Sequence, residues 1–416
     1  MLLSANLSQF RIGAYVNRNS HSFAIVKIFV LANTLLFESA ISGGDVVLPR
    51  IVRYWDGDDF EIHVITSSFG RKTWELQDVE ATFHELKDSF WEKYDGLALA
   101  WLTYLTRTFK ANRLLKNLLE KESEPCLIYT SSDLFPDVIP AFLNRRRFCH
   151  IKWMARIYHV NKSPLVRKGN PLFNLFSFVA QRIGFFYIKT TADLISPLVG
   201  AYKELQQLGF PQDRMKISNA GVATELIKQT VPLNKTYDAV HVGALTYTKG
   251  VYDLLDVWKM IVAENPKAKL AIVGGGSKSM MDRYRRKIRQ MSLSQHIDYY
   301  GFLPSNQDVY SIVKSSRIYI CPGHENGWSL PVTEAMSAGI PIVAYQLAMF
   351  GTAFKKGFVT VPIHDKIALK HEIQHLLIDE TKRRLLGAAA LEESQNFDWK
   401  TVSDRLREYI MALQAH

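Results

Sequence analysis

Cysteine is scarce. The three residues, Cys126, Cys149 and Cys321, lie far apart and are odd in number, which excludes a disulfide framework and a CxxC metal knuckle and fits a reducing compartment. A membrane-spanning run is also lacking: the longest apolar stretch near the start, Phe23 to Phe37, is broken by Lys27 and falls short of the roughly 20 residues that cross a bilayer. It runs into a Gly-rich loop and a continuing β/α pattern, so no secretory signal is expected, and the Asn6, Asn161 and Asn234 sequons carry no message. Nucleophile elbows, Walker loops and Ser/His/Asp order signatures are missing. So are RNP, KH and Cys/His-finger signatures, which sets nucleic acid aside as a partner.

What is present is ordinary globular usage. The 416 residues are 47 % hydrophobic and 22 % charged, with 23 Gly and 15 Pro, which excludes disordered, collagenous and coiled-coil chains and suggests about two or three domains. Fifty-one Lys and Arg against 40 Asp and Glu leave a net charge of +11, favouring an anionic partner such as a phosphorylated ligand or a membrane surface. The runs Arg145 to Arg147 and Arg283 to Lys287 read as solvated helix faces, the second opposite Met281, Tyr284, Ile288 and Met291.

Short β-rich apolar runs alternate with helical patterns throughout, the signature of parallel α/β architecture. Val26 to Ala32 and Phe60 to Ser67 read as strands. Between them Ser42, Gly43, Gly44 and Asp45 form a loop leading into a helix that carries Val46 to Val52, with Pro49 tolerated in or near the first turn. Further strands are expected at Cys126 to Thr130, Lys152 to His159 and Phe186 to Thr190, and a helix at Leu97 to Lys121. Pro232 to Lys235 reads as a linker. A second series follows at Ala239 to Gly243, Ala268 to Val273, Ile297 to Gly301, Ile318 to Cys321 and Ile340 to Ala344. The expected fold is α/β, with two Rossmann-like doubly wound domains facing across a cleft. The expected boundaries are an extension at 1–23, a first domain at 24–230, a second at 236–396, and a final helix at 397–416 that packs back across the hinge.

The segment from Pro322 to Ala344 is the most specific. A strand ends, a Gly-containing loop turns, and Ser329 can cap a helix with Pro331 in its first turn. Unpaired N–H groups at such a start bind anionic oxygens. Gly327 permits close backbone approach, and the Glu334 carboxylate can accept bonds from a ribose diol. With these residues the chain resembles retaining glycosyltransferases of the GT-B fold, family 4 (glycosyl transferases group 1), over most of residues 26 to 414.

That resemblance implies that Glu334 holds the ribose of a nucleotide sugar and that a Glu eight positions earlier contacts the transferred sugar. Here that position is Asn326, and Glu325 lies one residue too early, so either Asn326 serves as a neutral amide or Glu325 reaches in through a shifted loop. The segment His241 to Gly250 is similar to the family's phosphate-binding Arg and Lys-Gly pair: Lys249 and Gly250 match, while Ala244 stands at the Arg position. The resemblance further places Gly43 and Gly44 against donor phosphate and acceptor. It puts Gly274, Gly275, Trp328, Ser329 and Leu330 around the donor, Phe302 at the base, and His159 near the transferred sugar. Asn219 to Val222 resembles the hinge segment with one extra residue. The implied reaction is hexosyl transfer from a UDP- or GDP-sugar to a glycan, glycolipid or lipid-linked acceptor with retention of configuration. It requires no cofactor and no metal, and the departing diphosphate oxygen takes the acceptor's proton. The expected setting is the cytoplasm; segments such as Leu97 to Lys116 and Phe173 to Lys189 combine aromatic and apolar residues with Arg and Lys, a composition that suits either peripheral contact at the inner face of an anionic membrane or core packing.

Two other readings stand beside it. An impaired sugar-nucleotide-binding scaffold would explain Ala244 and Asn326. A zinc hydrolase would use His371, Glu372 and His375, which satisfy H-E-x-x-H, with Glu392 or Glu393 as third ligand. Helical spacing puts Leu369, Ile373, Leu376 and Leu377 on one side and both His opposite, toward solvent.

Overall fold

The computed structural model describes residues 25–36, 43–55, 59–93, 97–167, 170–325 and 328–415. Six parallel strands form a first sheet: β1 (Val26–Ala32), β2 (Phe60–Ser67), β3 (Thr82–Leu86), β4 (Cys126–Thr130), β5 (Lys152–Ile157) and β6 (Leu194–Pro197), in the order β3-β2-β1-β4-β5-β6. A second sheet holds β7 (Tyr237–Val242), β8 (Leu270–Val273), β9 (Ile297–Gly301), β10 (Ser316–Cys321), β11 (Ile342–Tyr345) and β12 (Phe358–Val361) in the order β12-β11-β10-β7-β8-β9. Each is the doubly wound order with a switch point, between β1 and β4 and between β7 and β10, where ligands seat outside the carboxyl ends of strands. The central strands are apolar and buried on both faces, as in Ile28 to Leu31 and Leu270 to Ile272, because helices cover both sides of a parallel sheet.

Some expectations are corrected. Phe186 to Thr190 is not a strand but the end of the helix Pro171–Thr191, whose buried Phe176, Ala180, Gly184, Phe185 and Ile188 recur at helical spacing; the next strand is β6. The helix Gly43–Val52 begins within the glycine pair, so Pro49 is its seventh residue and lies beyond the first turn. Strand β5 stops at Ile157, leaving His159 in the loop beyond it. The strands β3, β6 and β12 have no counterpart in the sequence reading.

The last helix, Trp399–Gln414, buries Val402, Leu406 and Ile410 and returns to the first lobe. Ser403 Oγ donates to Ile51 O at 2.9 Å, Trp55 Nε1 to Ser403 O at 3.5 Å, and Arg407 Nη2 to Asp59 at 2.6 Å. Beside this return an added Cβ on Gly221 would stand 2.5 Å from the Trp399 ring, so the crossing fits only with glycine there.

Two buried carboxyls in the first lobe give it a pH signature. Burial pushes Asp133 and Asp137 up to about 7, against hydrogen bonds from Gln181 to the former and from Ser132 and the Asn33 N–H to the latter. The folded state therefore keeps protons that unfolded carboxyls, with an ordinary value of 3.8, have released. Their contribution is fully present below that value and is lost as pH rises from it through 7, by up to about 4 kcal/mol each. Thermal melts of Asp137→Asn from pH 5 to pH 8 are expected to fall less steeply than those of the wild type; parallel curves would refute the assignment.

Candidate functional site

A cavity of roughly 1090 Å³ lies between the carboxyl edges of the two sheets. Its walls come from loops after β1, β4, β5 and β6 on one side and after β7, β10, β11 and β12 on the other. Both switch points open into it.

On the second lobe, Glu334 sits in the helix Leu330–Ser337, whose start is capped by Ser329 Oγ accepting from the Val332 N–H at 3.4 Å. Tyr310 Oη donates to Glu334 Oε1 at 3.1 Å. Burial raises the Glu334 carboxyl, while Arg50 of the first lobe and the Tyr310 hydrogen bond pull it back. Lys249 lines the same cavity, and burial lowers its ammonium from the ordinary 10.5, a state that an anion in the cavity would relieve. The turn presenting it depends on Gly250. With φ at +67° and a hypothetical Cβ only 1.7 Å from Pro322 O, no side chain fits there. His241 is buried, its Nδ1 donates to Ile320 O at 3.0 Å, and its pKa is pushed down to about 4 by burial. Its Nε2 lacks a protein partner among the described residues and is therefore a neutral acceptor in the cavity wall.

The first lobe supplies His159, whose Nε2 meets Asn161 Oδ1 at 2.9 Å and whose imidazole is lowered by burial within the cleft walls. Glu325 reaches across from the second lobe, with carboxylate oxygens 3.8 Å from Lys162 Nζ and 3.6 Å from Arg167 Nε. Asn326 and Gly327 lie outside the described residues, so the register of that loop is known only up to Glu325.

The cavity thus brings together His159, Lys249, Glu325, Trp328, Ser329, Leu330 and Glu334. Asp45 of the first lobe also lines it; Gly43 and Gly44 begin the helix just before. Gly274, Gly275 and Phe302 lie outside its lining. Gly274 has φ +145° and packs against Gly243 O, Gly275 packs on Phe302, and Phe302 is 74 % exposed. Sequence reasoning missed Arg50, Lys162, Arg167, His241 and Tyr310, which line or flank the site; only the position of Ala244, itself in the lining, hinted that cations must come from elsewhere. His371 and His375 are exposed on the helix Lys366–Ile378, opposite buried Leu369, Ile373 and Leu376.

This second-lobe geometry falls within a stretch of known kind. Residues 223–393 match the family model Glycosyl transferases group 1. A 174-residue stretch is 32 % identical to an uncharacterised glycosyltransferase of Haemophilus influenzae, covering 41 % of this chain and 48 % of that protein. A 182-residue stretch is 24 % identical to a D-inositol 3-phosphate glycosyltransferase of Corynebacterium diphtheriae, covering 42 % of each. The chain spans less than half the length of these relatives. Among solved structures, sucrose-phosphate synthase from Thermosynechococcus elongatus superimposes with a TM-score of 0.74 at 15 % identity, over 94 % of this chain and 99 % of that one. Anabaena HepE in complex with UDP gives 0.71 at 15 % identity, over 93 % and 100 %. At such identity these likenesses speak to architecture alone. The fold is GT-B.

Proposed function

We propose that the protein is a glycosyltransferase moving a hexosyl group from a nucleotide sugar to a glycan, glycolipid or lipid-linked acceptor, with retention of configuration. The observation that carries this reading is one interlobe cavity onto which Glu334, Lys249 and a Ser329-capped helix start converge, within the stretch that matches the group 1 glycosyltransferase model. Its HepE neighbour, of like fold, was solved with UDP, which favours a UDP-sugar over a GDP-sugar as the first donor to test.

In this reading Glu334 accepts from the ribose hydroxyls, and Lys249 with the helix N–H groups faces the diphosphate. Ala244 leaves one cation missing; Arg50, Lys162 and Arg167 line the cavity and supply positive charge from the other lobe. Catalysis then rests on electrostatic stabilisation of the departing nucleotide and on orientation in a closing cleft. The leaving diphosphate oxygen accepts the acceptor's proton, and His159 and Glu325 flank the transferred sugar. No cofactor or metal takes part in this chemistry.

We place the acceptor on the first lobe. Leu105, Phe109, Leu165, Leu172, Phe173 and Phe186 are exposed there, a composition suited to a lipid-linked acceptor and to peripheral contact with an anionic inner membrane face. No helix among the described residues is long and apolar enough to cross a membrane. The reading is tested by incubating the protein with UDP- and GDP-sugars and a lipid extract and determining the anomeric configuration of the product by NMR. Transfer with retention supports it; stoichiometric donor binding without turnover favours a scaffold instead.

A further inference from the structure

Next to Glu325, three segments bring together one carboxylate and two imidazoles. Asp253 comes from the first turn of the helix Val251–Glu264, His324 from the loop after β10, and His364 from the turn after β12. His324 Nε2 lies 3.0 Å and His364 Nδ1 3.6 Å from the same oxygen, Asp253 Oδ2, and all three atoms fall within 4.8 Å of one another. Asp253 and His324 are 71 residues apart, a separation that no ligand-spacing motif covers.

We propose that Asp253, His324 and His364 form a binding site for a divalent transition-metal cation of the zinc type. Tetrahedral zinc with bonds near 2.0–2.1 Å sets its ligand atoms about 3.3–3.4 Å apart, and the two distances from Asp253 Oδ2 bracket that value. One carboxylate and two imidazoles form the donor set of many three-ligand zinc sites, with the fourth position left to water. The residues around the cluster hold it in place. Lys366 Nζ takes the opposite oxygen, Asp253 Oδ1, at 3.2 Å and orients the carboxylate from outside the metal position, while Tyr345 Oη donates to the ligating oxygen Oδ2 at 3.3 Å. His324 and Asp253 side chains are about nine-tenths buried, whereas that of His364 is 55 % exposed. His364 also lines an open cavity that Asp256, Lys259 and Met260 of the helix Val251–Glu264 share with Lys287 of the helix Lys278–Gln290, and through it a hydrated ion can enter. Its backbone has φ +71°, an uncommon conformation for a residue with a side chain.

Ligation through Nε2 uses the neutral Nδ1–H tautomer of His324: the proton moves to Nδ1, and the metal bond replaces the Nε2 hydrogen bond to Asp253 Oδ2. The ion then joins three separate segments, one of them the loop that carries His324 and Glu325, acting as a clamp on that loop and not as a participant in glycosyl transfer.

The test is a calorimetric titration of the chelator-dialysed full chain with zinc chloride alone, repeated with cobalt to read four-coordinate visible bands. One equivalent is expected, with a melting temperature that rises on addition. His364→Asn, a residue that tolerates the left-handed backbone and stays at the surface, is expected to weaken binding by more than about tenfold. The double substitution His371→Ala and His375→Ala is expected to leave it unchanged. Absence of stoichiometric binding, or binding that survives His364→Asn and is lost with the surface histidine pair, overturns the proposal. Both readouts are independent of transferase activity, so failure here leaves the proposed function standing, and failure of that function leaves this site testable.

Discussion

Glu334→Ala is expected to raise the dissociation constant for the donor nucleotide by about 10²-fold, measured by calorimetry with UDP and GDP. A hydrogen bond to a charged group is worth about 1.5–3 kcal/mol, and each 1.4 kcal/mol is a factor of ten. The carboxylate is positioned from two sides, by Tyr310 Oη at 3.1 Å and by its place on the capped helix Leu330–Ser337. Removal therefore takes away ribose bonds that the rest of the cavity cannot restore. Glu334→Gln keeps an acceptor for Tyr310 and one for ribose, and a smaller loss is expected. Affinity unchanged in Glu334→Ala, with the melting temperature of the free protein preserved, would remove this residue from the donor site.

The second large effect is at Lys249. Its ammonium is held partly desolvated, so the charged form is under pressure in the free protein and gains most when a diphosphate arrives. Lys249→Met is expected to lower kcat/KM by about 10²–10³, since truncating one partner of a buried charge pair costs 2–5 kcal/mol. Lys249→Arg recovers only part of this, because a rigid planar guanidinium does not reproduce the compact ammonium on its flexible stem. Equal kcat/KM in Lys249→Met and wild type would shift the phosphate site to the first-lobe cations Arg50, Lys162 and Arg167.

Much of the fold is legible along the chain because buried parallel strands are written as short continuous apolar runs. β1, β2, β4 and β9 match their expected ends. Strand order is not legible, since pairing is a long-range property, nor are β3 and β12, edge strands whose burial patterns contain few apolar buried positions. The end of the helix Pro171–Thr191 misleads for the opposite reason: Phe185 to Ile188 is apolar on both faces, so neither period shows. Site residues split along the same line. Glu334, Ser329 and Lys249 sit in local motifs whose spacing can be read along the chain. Tyr310 meets Glu334 only when the second lobe is folded, and Arg50 and the approach of Glu325 to Lys162 and Arg167 join the site only once two lobes face each other. The Asp253, His324 and His364 cluster is assembled within the second lobe, from one helix and two loops distant in sequence.

The most direct measurement is the structure of the protein co-crystallised with UDP or GDP. The account predicts one nucleotide between the lobes, its ribose hydroxyls on Glu334 and its diphosphate between Lys249 and the Ser329-capped helix start. A nucleotide bound elsewhere, or a cleft that stays empty at saturating concentration, would contradict it.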